Sequence, residues 1–245
     1  MTTEKVAFIT GANRGIGFQT AKDLGKQGIT VVIGARDLAK GREAAEKLKA
    51  EGIAADAIRF VATDPQTHQE AYDYFNGLYG RLDILVNNAG IMVEDLSAAP
   101  NVSKVSPDVL KETFETNFFA VVALTQTLLP LIRKAAAGRI VNLSSILGSL
   151  ALNSDPASPI GDKKVFAYNA SKTALNAFTV HLADELRATN IKVNSAHPGW
   201  VKTDMGGTEA PMEIADGSKT SVQLATLPDS GRTGGYVHMS ETLPW

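Results

Sequence analysis

Residues 6–17 read VAFITGANRGIG. Apolar and β-branched residues run straight into a cluster of glycines, and a helix-forming run, GFQTAKDLGKQ, begins at the last of them. The order is strand, tight turn, helix. Gly11, Gly15 and Gly17 are spaced G-x-x-x-G-x-G. A helix N-terminus presents free N–H groups and partial positive charge, and glycines let an anionic ligand approach the backbone. The spacing departs from G-x-G-x-x-G, and no Lys-Ser/Thr follows the last glycine, so this is not a P-loop. Because the loop follows the first strand, dinucleotide binding is favoured over a purely structural turn.

The alternation continues along the chain. KVAFIT, TVVIGA, AIRFVA, DILVNN, GRIVNLSS and KVNSAHPG read as strands, nearly continuous in apolar character. Helical periodicity fills GFQTAKDLGKQ, DLAKGREAAEKLKAE, PQTHQEAYDYFNGLY, a long segment around 108–136, and NASKTALNAFTVHLADELRAT. Asp37 is placed to cap one helix, and Pro65 to start the next. Apolar strands alternating with helices predict an α/β fold, a doubly wound parallel sheet of the Rossmann type. No linker interrupts residues 1–245, which read as a single domain. Loops are expected at 149–165 and 204–216, facing the substrate side.

Bulk composition excludes several classes. The net charge of −2 gives no reason to expect nucleic acid or an anionic membrane as partner. The chain has no cysteine, which excludes disulfides and a thiolate nucleophile and suits a reducing, cytoplasmic setting. The N-terminus shows no basic region before a long apolar stretch, so no signal peptide is expected. The apolar run 118–132 carries Thr, Gln and Pro and falls short of the ~20 residues that span a bilayer, so it reads as a buried helix. His68, His181, His197 and His238 show no metal-ligand spacing, and no G-x-S-x-G elbow is present. No metal is expected.

An acidic residue about 20 positions past the glycines usually holds the ribose of NAD, whereas an arginine there accommodates the 2′-phosphate of NADP. Ala35 and Arg36 occupy the end of the second strand, and Arg14 lies inside the glycine loop. Asp37 has a competing use as a helix cap. Two arginines converging on the adenosine ribose point to NADPH/NADP+ over NADH.

Taken together these residues carry a family resemblance. The chain resembles the classical short-chain dehydrogenase/reductase family over essentially its whole length. The matching features are Thr10-Gly11-x-x-x-Gly15-Ile16-Gly17, Asp64, Asn87-Asn88-Ala89-Gly90, Asn117, Ser145, Tyr168-x-x-x-Lys172 and Pro198-Gly199. Within that family it looks most like the NADPH-dependent carbonyl reductases, on ETNFFAV, VNLSSI and PGWVKTDM. The resemblance implies that Gly11, Asn13, Arg14, Gly15, Ile16 and Gly17 cradle the cofactor. It implies that Asp64 contacts the adenine, and that Asn88, Ala89 and Gly90 form a turn beneath the cofactor. Pro198, Gly199, Val201 and Thr203 would border the nicotinamide, and Lys172 would hold its ribose.

Reducing a carbonyl needs hydride on carbon and a proton on oxygen. Tyr168 is the expected proton donor, with Lys172 beside it on one helix face. A charge pair about 5 Å apart at an effective dielectric of about 20 interacts by roughly 3 kcal/mol. That would bring a tyrosine from about 10 to near 8. Ser145 would donate to the substrate oxygen; Ser144 is its adjacent competitor, and the family match selects Ser145. Asn117 would hold a water linking Lys172 to solvent, against a local kink as the structural alternative. Trp200 and Met205 read as packing residues rather than substrate contacts.

The expected activity is reversible hydride transfer between NADPH and a ketone or aldehyde, the partner being a small-molecule carbonyl or alcohol. The alternatives are a dehydrogenase acting mainly in oxidation and a catalytically silent NADP(H)-sensing protein. An intact Asn117, Ser145, Tyr168 and Lys172 argues against the sensor. The interval from Ser145 to Tyr168 carries extra residues that would line the substrate mouth or cover the long helix. The second option bears on assembly, because that helix face supports dimers in the family; a homo-oligomer is possible.

Overall fold

The structure is a computed structural model that describes residues 4–95 and 102–245. Strands β1 (Val6–Thr10), β2 (Thr30–Ala35), β3 (Ala55–Arg59), β4 (Ile84–Asn87), β5 (Arg139–Leu143), β6 (Lys192–Ala196), β7 (Tyr236–His238) and β8 (Glu241–Thr242) join in one sheet. Their order is β3-β2-β1-β4-β5-β6-β7-β8, parallel except for the final β7–β8 pair. Consecutive strands build outward from β1 to β3; the chain then returns to the other side of β1 with β4. That reversal opens a crevice at the carboxyl ends of β1 and β4, where ligands bind in open α/β sheets.

The apolar strands are explained by helices on both faces. Ala7 and Ile9 of β1 pack with Leu24 of α1 (Gly15–Gly25), Leu48 of α2 (Leu38–Ala50) and Leu224 of α9 (Lys219–Ala225). Val6 and Phe8 point the other way, to Phe75 of α3 (Pro65–Leu78), Leu128 of α5 (Ala120–Ile132) and Leu182 of α7 (Phe166–Glu185). Successive side chains of a strand alternate faces, so a strand covered on both sides must be apolar throughout.

Helix α4 (Pro107–Phe114), a π-helical turn over Glu115–Phe119 and α5 form one rod. By length and composition Pro107–Ile132 is long and apolar enough to cross a membrane. Here Leu124, Leu128, Leu131 and Ile132 are buried in the core beneath the sheet.

Three expectations shift. Strand β3 begins at Ala55, earlier than AIRFVA suggested, because at the sheet edge its residues alternate between buried and half-buried and the polar Asp56 masks the start. Strands β7 and β8 are too short, at three and two residues, for a strand pattern to register. The segments read as loops are folded locally: α6 (Leu150–Ser154) lies within 149–165, and α8 (Ile214–Gly217) begins inside 204–216.

Candidate active site

The glycine loop turns where β1 ends. Gly11 has φ +65°, a left-handed backbone that L side chains rarely adopt. Gly17 is required for space: a Cβ there would lie 2.5 Å from Asn88 Nδ2 and 2.9 Å from Ala12 Cα. The Asn88 amide donates to the Thr10 carbonyl at 2.8 Å, and the Thr10 hydroxyl accepts from the Asn88 and Ala89 N–H groups at 3.0 Å each. These bonds join the ends of β1 and β4 across the crevice. Among the helices that follow β1, β2 and β3, Asp37 caps α2 and Asp64 caps α3 with their carboxylates. Helix α1 starts after Arg14 with no side-chain cap and no acidic residue in its first turn. Its free N–H groups therefore suit an anionic ligand such as a pyrophosphate. Asn13 is half-buried in this loop, and Ile16 lines the adjoining cleft.

The other residues expected to touch a cofactor surround the same crevice. Arg36 stands exposed just beyond β2. Arg14 is drawn instead to Asp204, an exposed ion pair linking the glycine loop to the segment after β6. Asp64, besides capping α3 through Gln66 N–H at 3.1 Å, lies 3.6 Å from Arg59. Pro198, Gly199, Val201 and Thr203 line the cleft, and the Thr203 hydroxyl accepts from Gly206 N–H at 3.0 Å.

Tyr168 and Lys172 lie one turn apart on α7, both buried. Glu94, from the segment after β4, accepts from the Tyr168 N–H at 2.9 Å and supplies the cap that α7 lacks locally. The Lys172 ammonium sits 5.6 Å from the Tyr168 ring centre and donates to the Leu143 carbonyl at 2.9 Å. The expected lowering of the phenol does not occur. Burial pushes Tyr168 up to about 12, and a hydrogen bond with Ser145 offsets only part of that. Burial also pulls Lys172 down to about 8. Burial strips the hydration of both groups, and that loss dominates their titration.

Ser144 and Ser145 diverge at the end of β5. Ser144 donates inward to the Asn176 side-chain oxygen Oδ1 at 2.7 Å, while the Ser145 hydroxyl stands beside the Tyr168 phenol and accepts from the Leu147 N–H at 3.3 Å. Asn117 occupies the π-turn, so the kink and a site position coexist. Its amide donates to the Ile91 carbonyl and accepts from the Ile91 N–H, each at 2.8 Å, and also donates to Ser171 at 3.1 Å. Gly90 lets the chain pass close to both Asn117 and Lys172: a Cβ there would lie 3.3 Å from Asn117 Oδ1 and 3.5 Å from Lys172 Nζ.

Tyr168 and Ser145 face a cleft of about 330 Å³. Pro159 and Ile160 form one wall, from the segment after α6. Trp200 and Met205 form another and remain partly exposed, so the reading of these two as packing residues is corrected. Met92, Ile146 and Leu147 line the same cleft. None of these has a local signal, because the walls come from distant segments. A tightly packed contact behind the site was missed as well: a Cβ at Gly148 would lie 2.8 Å from Lys172 Cβ.

The family description "short chain dehydrogenase" matches residues 5–214. Carbonyl reductase 3 of Mus musculus, an NADPH enzyme by name, is 33% identical over 262 residues, covering 91% of this chain and 91% of its own. The carbonyl reductase Sniffer of D. melanogaster superposes with a TM-score of 0.85 at 28% identity, over 99% of this chain and 100% of that one. The NADPH-bound carbonyl reductase from chicken fatty liver gives 0.84 at 26% identity, over 99% of each chain. With that match, that relative and the doubly wound sheet, the chain belongs to the short-chain dehydrogenase family of oxidoreductases.

Proposed function

We propose that the protein reduces ketones or aldehydes to alcohols with NADPH, and that Tyr168 donates the proton. The observation that carries this reading is a buried, protonated phenol facing an apolar cleft, bonded with Ser145 and backed by Lys172. It lies at the same end of the sheet as the uncapped helix α1.

When bound, NADPH supplies the hydride for the carbonyl carbon. The chain does the rest. The α1 N-terminus and Gly17 would receive the pyrophosphate, Arg36 and Arg14 would favour the 2′-phosphate, and Asp64 would border the adenine. The turn of Asn88, Ala89 and Gly90 and the loop from Pro198 to Thr203 would lie beside the nicotinamide, and Lys172 would hold its ribose. The apolar walls exclude water around the carbonyl. Ser145 donates a hydrogen bond to its oxygen, and Tyr168 delivers the proton to that oxygen, completing the alcohol.

A phenol at about 12 is protonated at neutral pH, the state that reduction requires. Once it has given up its proton, Lys172 at about 8 is much the stronger acid, so reprotonation of Tyr168 runs downhill. Asn117, in the π-turn and close to Lys172 across Gly90, would hold a water linking Lys172 to solvent. Oxidation would start from the deprotonated phenol, a form that burial disfavours near neutral pH. The lack of cysteine fits a cytoplasmic setting.

The test is NADPH consumption with a panel of ketones and aldehydes, with NADH as control. Tyr168→Phe should bind NADPH with unchanged affinity and lose most turnover. Near-normal turnover in that variant sinks the mechanism, and cofactor binding without turnover across the panel favours a sensor.

A further inference from the structure

The peptide unit between Ser145 and Ile146 is held at both of its polar atoms by buried side chains from elsewhere in the chain. The Tyr236 hydroxyl, on β7, donates to the Ser145 carbonyl, reaching across β6 to the end of β5. Tyr236 is wholly buried, and its ring stacks on Trp245 at 5.3 Å. Burial pushes its phenol well up, so the hydroxyl remains a donor. On the other side, the Ile146 N–H donates to His197 Nδ1 at 3.1 Å. The same nitrogen lies 3.4 Å from the Gly199 N–H, in the turn expected beside the nicotinamide. An Nδ1 that accepts from backbone N–H groups belongs to a neutral imidazole with its proton on Nε2. The neighbouring ring of His238, 4.9 Å away, donates from Nδ1 to the His197 carbonyl and fixes the backbone there.

We propose that Tyr236 and His197 are positioning residues: they clamp the Ser145–Ile146 peptide from both ends and set where the Ser145 hydroxyl stands relative to the Pro198–Gly199 turn. The proposal rests on the reading of Ser145 as the donor to the substrate oxygen. Ser145 caps a short 3₁₀ turn over Ile146–Gly148: its hydroxyl accepts from the Leu147 N–H at 3.3 Å and its carbonyl from the Gly148 N–H at 2.8 Å. Tyr236 and His197 tie that turn to β7 and to the end of β6, and only a constraint that survives turnover keeps a donor aligned with developing charge.

The test is a double-mutant cycle with NADPH and para-nitrobenzaldehyde as the probe. Ser145→Ala in the otherwise native chain should lose most turnover. Tyr236→Phe should lower kcat about tenfold with unchanged NADPH affinity, and should change it less than about twofold in the Ser145→Ala background. His197→Leu should behave in the same way, whereas His197→Asn, which returns an acceptor oxygen, should retain most of the native kcat. Amide exchange supplies a readout independent of turnover: the Ile146 N–H should exchange faster in His197→Leu than in His197→Asn. Equal losses in both backgrounds overturn the proposal, because they mean Tyr236 acts independently of Ser145. Native kcat in Tyr236→Phe and His197→Leu, or unchanged Ile146 exchange, overturns it too. Full activity in Ser145→Ala overturns the reading of Ser145 and the clamp with it, a result distinct from the other two.

Discussion

Lys172 stands with its ammonium on the Leu143 carbonyl and almost no access to water. A lysine whose folded value falls from 10.5 to about 8 binds its proton less readily than in the unfolded chain. Its burial therefore costs stability at neutral pH, and the cost is relieved as pH rises from about 8 towards 10.5. Lys172→Met should melt no lower than the parent at pH 7 while turnover collapses, a thermal scan and an assay on one preparation deciding it. In the parent, reduction should slow as pH rises through about 8, where Lys172 loses the proton it returns to Tyr168. A rate that holds level to pH 10 removes Lys172 from the relay. His197 follows the same rule in a lower pH window. Its folded value drops from 6.5 to about 3 through burial and then the neighbouring His238. The unfolded chain binds the extra proton between those values, so stability falls as pH falls through that window, by at most ~1.4 kcal/mol per pH unit. His197→Asn should flatten that acid limb in urea titrations at pH 6.5 and pH 4.5. Identical limbs in the two proteins would show that His197 is not responsible.

At the scale of elements, the α1 N-terminus is left open while its neighbours are closed by Asp37 and Asp64. The Asp37 cap and the glycine loop were legible because the residues concerned are adjacent, whereas Asp64 was read only as an adenine contact and its capping of α3 emerged with the structure. What the loop glycines avoid was not legible either. In a helix, Gly→Ala normally gains about 1 kcal/mol. At Gly17 the new methyl would meet Asn88 Nδ2 and the Ala12 backbone inside 3 Å, and overpacking of that kind costs about 1–3 kcal/mol. The clash wins. Gly17→Ala should keep its helical circular dichroism but bind NADPH at least about tenfold more weakly, a loss of about 1.4 kcal/mol. Unaltered cofactor affinity would separate Gly17 from the binding loop. The π-turn at Asn117 belongs to this scale too. Asparagine inside an apolar rod signals a local departure, but only the fold shows its amide holding the Ile91 backbone.

Across the molecule, Arg139 ties regions far apart in the chain. Its guanidinium is buried at the start of β5 and donates to the carbonyls of Leu227, Gly138 and Asn190, as well as to Asp229. The carbonyls lose their donors if the arginine is removed, whereas Asp229 is largely exposed and can rehydrate. Arg139→Met should cost about 3 kcal/mol or more in urea unfolding. Asp229→Ala should lose little. Equal losses would place the value in the ion pair rather than in the carbonyl contacts. This kind of connection also builds the cleft, whose walls come from β5's end, the segment after α6 and the loop after β6.

The alternation of apolar strands and amphipathic helices, the glycine turn, the Asp37 cap and the one-turn spacing of Tyr168 and Lys172 were readable in the chain as written, because each depends on residues close together, where periods of two and 3.6 govern geometry. Asn117 and Ser145 were singled out through the family resemblance, not through any local pattern. The short strands β7 and β8 carry too few residues for a period to register. The rise of Tyr168, the fall of Lys172 and the inward turn of Ser144 depend on what surrounds each group once water has been expelled. The contacts on the Ser145–Ile146 peptide arrive from 91 and 51 residues away. Hydration loss and long-range packing are properties of the folded volume, and no local pattern encodes them.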